Sequence, residues 1–314
     1  MFHQIVIAKE DKDSQRFLWR NGDPSQPLET YVMERMIFGA TCSPTIAQYV
    51  KNLNAQRFIN ESPRAVQGII DRHYVDDYVD CFQTEGEAVE VVRDVIKIHK
   101  EGGFNLRNIK SNSLVLQRMF GNPISDESDG NSIFDDGMER VLGIHWLPKS
   151  DVFCFELKLH KVDEKILKLQ KVPTKREMLS LNMSVFDPFG FLGDFMVTSK
   201  IIMQNVWESG IKWDEELPAA IYSRWKTWLE ELPKLKDFKV PRCYSDGFFN
   251  GIVDLHVFVD ASEDAMAAVA YWRIVTNCGL SVVFVMGKTS CAPTRYHTIP
   301  KLELQAAVIG IPQQ

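Results

Sequence analysis

Apolar and polar positions change period repeatedly along the chain, and each change predicts an element. Residues 2–8 (Phe-His-Gln-Ile-Val-Ile-Ala) form a short apolar run that predicts a buried strand. A second strand is predicted over 16–20, a tight turn at Asn21-Gly22-Asp23-Pro24, and a third strand from the alternation over 30–36. Phe38-Gly39 then turns the chain. Ser43-Pro44 supplies an N-cap and a proline at the first helical position, so a helix is predicted from there to about residue 58. A second helix is predicted over 63–72. Val89, Val92 and Ile96 share one face of a third over 85–100, which Gly102-Gly103 closes. Short strands follow over 104–106 and 114–116, and then a polar, turn-rich loop over 121–137.

In the second half, residues 141–146 predict a strand that pairs with 152–155. From about residue 162 the spacing becomes helical. Lys158, Lys161, Lys165, Lys168 and Lys171 recur every three or four residues, with Val162, Ile166 and Leu169 on an adjacent apolar face. Such a stripe is either a solvated face balanced by Asp163 and Glu164 or a grip on phosphates. Thr174 starts another helix, and Asp187-Pro188-Phe189-Gly190 breaks it. Helices are predicted over 191–209 and 214–232; Leu217, Ile221, Trp225 and Trp228 share a face of the second and belong to a core. The basic, proline-punctuated stretch 233–244 predicts a domain boundary. Strands over 252–259, 266–273 and 280–286 precede a helix near Pro300 that carries Glu303, the pattern of a small α/β domain.

Composition narrows the class without choosing it. A chain of 314 residues, 45% hydrophobic and 25% charged, has the make-up of an ordinary globular protein of roughly two domains. The net charge of -6 carries no global signature of a nucleic-acid binder, so any such surface must come from local basic stripes. The six cysteines (Cys42, Cys81, Cys154, Cys243, Cys278, Cys291) form no C-x-x-C pair, which points away from a zinc ribbon or disulfide framework and toward a reducing intracellular compartment. No apolar run reaches membrane-spanning length, so no membrane partner is expected.

The chemistry concentrates at Tyr74-Val75-Asp76-Asp77. Two adjacent carboxylates raise each other's pKa unless a cation neutralises them, and a hard divalent ion with oxygen ligands suits such a pair. A tight strand-turn-strand would put the Asp pair at the turn, a candidate site for metal-assisted phosphoryl chemistry. The same four residues also suit a plain Asp-Asp turn between two strands.

The motifs occur in one order that resembles the reverse transcriptase of LTR retrotransposons, most closely the BEL/Pao class, over nearly the whole chain. The resemblance implies an α+β polymerase palm (antiparallel sheet with helices) over 1–137, a helical thumb and connection over 138–240, and a truncated α/β ribonuclease H-like domain over 250–314. Asp76 and Asp77 match the metal-binding pair of the Tyr-x-Asp-Asp hairpin. The family's third palm Asp precedes a pattern that Met1-Phe2-His3-Gln4-Ile5 joins just after that position, so no residue here is assigned to it. Phe2 matches the aromatic steric gate against the sugar 2′-OH. Phe38 and Gly39, with Ser43-Pro44, resemble the loop and helix start beside the nucleotide, and Tyr74 belongs with them. Lys110, after Gly103-Phe104-Asn105-Leu106, resembles the lysine proposed to protonate pyrophosphate; otherwise it is a surface lysine.

Leu142-Gly143, in the Trp146 hairpin, resembles the primer grip. Lys165, Lys168, Lys175 and Arg176 fall where a thumb would touch nucleic acid. Residues 187–232 resemble the connection region, also known as the Pao retrotransposon peptidase; with no Asp-Thr-Gly or Asp-Ser-Gly in the chain, no protease is expected. Val257-Phe258-Val259-Asp260-Ala261-Ser262 resembles the first strand of a ribonuclease H domain, continued by Lys288, Ala292-Pro293 and Pro300-Lys301-Leu302-Glu303-Leu304. Asp260 and Glu303 match its first two metal-binding carboxylates. Read alone, they are a strand-end Asp and an exposed helical Glu. The resemblance implies Mg²⁺ or Mn²⁺ as cofactor, and RNA/DNA primer-template, deoxynucleotides and other parts of the polyprotein as partners. It implies a cytoplasmic, virus-like-particle location with a nuclear phase. With one palm carboxylate and two ribonuclease H carboxylates unassigned, the 314-residue chain is expected to have little or no polymerase or nuclease activity. The alternative is a non-catalytic nucleic-acid or protein interaction module.

Overall fold

A computed structural model describes residues 1–121, 139–157, 159, 162–245 and 248–311. The chain divides into two compact units, 1–135 and 136–314.

The first unit pairs β1 (Arg16–Trp19) with β2 (Glu29–Val32), in register from Arg16↔Val32 to Trp19↔Glu29. The helices α1 (Ser43–Gln56) and α2 (Pro63–Asp71) then lead into a hairpin of β3 (His73–Tyr74) and β4 (Asp77–Tyr78). The helices α3 (Glu85–Glu101) and α4 (Leu114–Phe120) follow. Phe58, Val66, Ile69, Val91, Val95 and Ile98 close one core between α1, α2 and α3. Ile5, Met36, Ala47 and Phe104 close a second.

Four local expectations change. The run 2–8 is not a strand: it opens with a 3-10 turn at Phe2–Gln4 and pairs only through the Val6↔Arg35 bridge. Residues 114–116 lie in α4, not in a strand, because the Ser113 hydroxyl caps the helix by accepting the Leu116 N–H at 3.4 Å. No strand forms over 104–106. Ser43 is not the cap of α1 but lies inside it, and its hydroxyl donates to the Ile37 carbonyl at 2.8 Å. Beyond Gly121, the loop expected over 121–137 lies outside the described residues.

The second unit opens with β5 (Glu139–Val141), β6 (Ile144–Leu147) and β7 (Val152–Cys154). After α5 (Glu164–Leu167), α6 (Lys175–Asn182), α7 (Gly193–Glu208) and α8 (Ala219–Glu231), β8 (Lys239–Pro241) returns to that sheet. The antiparallel order is β5-β6-β7-β8. The stretch expected as a boundary, 233–244, is therefore partly structural: Val240 sits opposite Phe153 in the sheet. Met178, Leu181, Ile202, Val206, Trp225 and Trp228 fill the helical core, as the aromatic face of α8 predicts.

A second sheet contains β9 (Ile252–Ala261), β10 (Ala265–Thr276) and β11 (Gly279–Cys291) in the order β11-β10-β9, with α9 (Ile299–Gly310) packed on β9 and β10. The helix expected from 162 shrinks to α5, a single turn that stops before Leu169, whose φ is +58°. Lys165, Lys168 and Lys171 therefore do not share a helical face. Lys158 and Lys161 lie outside the described residues. Among the described residues no helix is long and apolar enough to cross a membrane.

Candidate nucleic-acid and metal site

The hairpin that follows α2 is as tight as a hairpin can be. His73 pairs with Tyr78 and Tyr74 with Asp77, leaving Val75 and Asp76 as the two-residue turn. The turn sits one residue earlier than expected, so Asp76 is at its tip and Asp77 begins the return strand. Val75 adopts φ +54°, an unfavourable setting for a β-branched residue that the surroundings must hold in place. Asp76 and Asp77 are both exposed, and among the described residues no hydrogen bond or ion pair engages either side chain. Partial burial, and then the Asp76 charge beside it, push the Asp77 carboxyl above its usual range.

The backbone of this hairpin is tied from both sides. The Gln48 amide on α1 donates to the Val75 carbonyl at 2.9 Å, and the Val79 N–H donates to the Arg72 carbonyl at 2.9 Å. Behind β4, the Tyr78 hydroxyl donates to Asp80 at 2.8 Å, and Arg64 on α2 pairs with the same carboxylate oxygen at 2.9 Å. The Asp80 side chain is 2% exposed, so this pair is shielded from solvent on its acidic side. Gly68 makes room for it: a Cβ there would lie 2.9 Å from the Tyr78 hydroxyl oxygen. Sequence reasoning missed Gln48, Arg64, Gly68 and Asp80. The available signal was Asp80 itself, a carboxylate two residues beyond an aromatic on a strand that leaves a turn.

Phe2 and Phe38 do come together, with ring centroids 4.8 Å apart, and His3 meets Phe38 edge-on at 5.0 Å. Phe2 packs on the cluster of Ile5, Met36, Ala47 and Phe104, while Phe38 is 62% exposed. Gly39 takes φ +88°, which lets the chain turn into α1. Tyr74 is exposed on β3. Lys110 lies exposed between α3 and α4.

In the second unit, Leu142 and Gly143 are the turn between β5 and β6, at φ +50° and +86°. They were expected within one strand over 141–146; the left-handed pair splits that run into a hairpin. Gly143 is required here, since a Cβ would lie 2.7 Å from the Phe186 ring. A cavity of about 250 Å³ opens beside this turn, lined among others by His145, Phe155, Glu156, Phe186 and Asp187. Asp187 accepts the N–H groups of Phe191 and Leu192 at 3.0 and 2.7 Å, ahead of α7, and burial pushes its carboxyl up.

The basic residues of this unit are largely spent on internal contacts. Lys168 pairs with Glu164 at 2.8 Å, and Lys171 pairs with Glu177 at 2.6 Å. Lys175, expected on nucleic acid, is 5% exposed; its ammonium lies 3.5 Å from the Trp207 ring centroid and donates to the Ile211 carbonyl. That burial withdraws it from any partner. Arg176 forks onto Asp214 at 2.8 and 3.2 Å. Lys165 remains exposed.

Asp260 stands on β9 opposite Ala267 and accepts the N–H of its own neighbour, Ala261. Leu302 and Ala306 pack with Ala261, and Gly310 packs on Val257 and Val259. Side chains alternate along a strand, so Asp260 projects from the face of β9 opposite α9. Glu303 is exposed on α9, next to the packed Leu302. Carboxylates suit a hard cation, but among the described residues no group of three or more His, Cys, Asp or Glu side chains is placed to hold one. Among the described residues, then, Asp76–Asp77, Asp260 and Glu303 supply at most two neighbouring carboxylates to any one cation.

Residues 174–313 match the family described as the Pao retrotransposon-like RNaseH-like domain. The match runs from the Thr174 cap of α6 to just past the end of α9. The fold is similar to that of the foamy viral protease-reverse transcriptase solved in complex with RNA/DNA hybrid, with a TM-score of 0.53 and 14% identity. That likeness covers 99% of this chain and 35% of the viral one, so the chain spans about a third of its length. At that identity the likeness is one of fold. No curated protein matches the chain.

Proposed function

We propose that the chain is part of a retrotransposon reverse transcriptase of the BEL/Pao class, acting on RNA/DNA primer-template. The observation that carries this reading is the Asp76–Asp77 hairpin: two exposed, unpaired carboxylates on a backbone tied by Gln48 and by the Tyr78–Asp80–Arg64 network. An arrangement that tethers the backbone and leaves the charges to solvent suits cation binding better than a structural turn. The RNaseH-like match over 174–313 and the reverse-transcriptase fold likeness support the same family.

In this reading the first unit is the palm, residues 138–240 are thumb and connection, and residues 250–314 begin the ribonuclease H-like domain. Asp76 and Asp77 supply two ligands toward Mg²⁺ or Mn²⁺, which when bound would stabilise charge on a transferring phosphoryl group. Phe2, backed by Phe38, presents a ring that limits the sugar edge of an incoming deoxynucleotide. The Leu142–Gly143 turn steers the primer strand. The family resemblance makes Asp260 and Glu303 the candidate nuclease carboxylates, although Asp260 leaves the face of β9 opposite α9 and the two do not converge on one site. Lys165, with Lys168 and Arg176 once they leave their surface ion pairs, supplies the exposed cations for phosphate contact, a role that needs no base readout. The partial donor set favours a second reading, a binding module without catalysis.

Primer extension and primer-template binding on the full chain test both. The family reading expects binding that weakens with salt, and little extension from a two-carboxylate site. Clear extension with Mg²⁺ or Mn²⁺, reduced by about 10²-fold or more in Asp76→Ala, establishes an active polymerase. Binding without extension favours the module. No binding at modest salt overturns the family reading for this chain.

A further inference from the structure

Helix α1 turns a polar row inward, and each member donates to a backbone carbonyl of a different element. Gln48 reaches Val75 in the hairpin turn at 2.9 Å, and Asn54 reaches Ile98 near the end of α3 at 2.7 Å. Between them the Lys51 ammonium donates to the Ile69 carbonyl, in the last turn of α2, at 2.5 Å. Gln48 and Asn54 make ordinary amide contacts. Lys51 is different: it is 2% exposed, yet it lies on the apolar row of Ala47 and Ala55.

Among the described residues no carboxylate faces this ammonium. The titratable groups around it are His73 on β3 and His99 on α3, with ring centroids 5.0 Å apart; His99 is 4% exposed and bonds the Val95 carbonyl through Nδ1 at 2.8 Å. Burial pulls the Lys51 amine down to about 8. It also lowers His99, and with the Lys51 charge it brings His73 to about 3. A buried cation among basic rings opposes folding unless its donor is needed. Its acceptor, a carbonyl at the C-terminal end of α2, is the negative end of that helix's dipole. Ile69 lies four residues before His73, so the contact grips the joint between α2 and the hairpin.

We propose that Lys51 is the positioning residue of the Asp76–Asp77 hairpin: its ammonium, held on the Ile69 carbonyl, fixes the exit of α2 and with Gln48 sets where both carboxylates stand. What those carboxylates do rests on the function proposed above; the tie itself does not. Because a buried cation opposes folding, replacing it with an uncharged side chain of similar length need not unfold the protein.

Hydrogen exchange by mass spectrometry on the full chain, comparing wild type, Lys51→Met and Lys51→Arg, tests the tie without needing any activity. The expected result is exchange at least about 10-fold faster over residues 73–79 in Lys51→Met, with α1 and α3 within about 2-fold of wild type. Lys51→Arg, which keeps a charged donor, returns 73–79 toward the wild-type rate. Unchanged exchange over 73–79 in Lys51→Met overturns the proposal. So does equal loosening of α1, α3 and the hairpin, which marks a core residue, or a Lys51→Arg protein that exchanges like Lys51→Met. If Lys51→Met does not fold, Lys51→Gln is read by the same three criteria. Absence of primer extension, by contrast, bears on the function and leaves this result intact.

Discussion

The hairpin at 73–78 and the basic segment at 164–176 distribute their interactions in opposite ways. At the hairpin, side chains of α1 and α2 bind the backbone and its flanking residues, through Gln48 on Val75 and Arg64 on Asp80, and the Asp76 and Asp77 carboxylates face solvent. In the basic segment the charges themselves are engaged: Lys168 by Glu164, Lys171 by Glu177, Lys175 by Trp207 and Arg176 by Asp214. A charge already satisfied within the fold must break that contact before it serves a partner. A charge left free on a fixed backbone pays nothing of the kind. Charged residues at regular spacing are thus weaker evidence for a binding surface than charged residues the fold declines to pair.

Acid is the strongest way to disturb the first region. His73 is held uncharged, at about 3 against an ordinary 6.5, mainly by burial and then by Lys51. Its folded value is depressed, so its contribution is complete above pH 6.5 and is lost as pH falls toward 3. We expect the first unit to lose on the order of 3–5 kcal/mol across that window. Urea titrations at several pH values, read by hydrogen exchange in α3, check this, and His73→Phe should flatten the dependence. A first unit equally stable at pH 7 and pH 4 would mean that the site beneath the hairpin admits a charged ring.

Overpacking behind β4 comes next. Gly68→Ala puts a Cβ 2.9 Å from the Tyr78 hydroxyl and close to Arg64 and Asp80, and should cost about 1–3 kcal/mol. In a Tyr78→Phe background, where the hydroxyl is gone, the cost should shrink; additive costs in a double-mutant cycle would separate Gly68 from the buttress.

The smallest effect belongs to the second region. Arg176→Gln removes an ion pair whose partners are 60% and 76% exposed, and should leave the urea midpoint of the second unit essentially where it was. If Arg176 serves Asp214, primer-template affinity hardly moves. A uniform loss of affinity, with the salt slope lowered by about one, would show that the pair opens for phosphate and would reverse the contrast between the two regions.

Much of the fold was legible from local pattern. The helices α1, α2 and α3, the strand β1, the long strands of the last sheet and the aromatic face of α8 all follow from apolar period and from Pro or Gly punctuation, which act within a few residues. Expectations failed where a single local contact outweighed the pattern. Ser113 capped a Leu-Val-Leu run into α4, and Leu142–Gly143, in left-handed geometry, cut a predicted strand in two. The fate of the lysines was not legible at all. Whether Lys175 meets solvent depends on Trp207 and Trp213, more than thirty residues away in sequence.

By itself the sequence determined that two neighbouring carboxylates stand together in Tyr-Val-Asp-Asp, bracketed by residues that favour a hairpin. Adjacency along the chain guarantees that these charges stay together. Only the tertiary structure decided what surrounds them. It placed the turn at Val75–Asp76 and put Arg64, Asp80 and Gln48 behind it, and it buried Lys51 near the paired rings of His73 and His99. It also turned Asp260 away from the face that α9 covers. Those outcomes rest on contacts between segments distant in sequence, and local propensities carry no information about them.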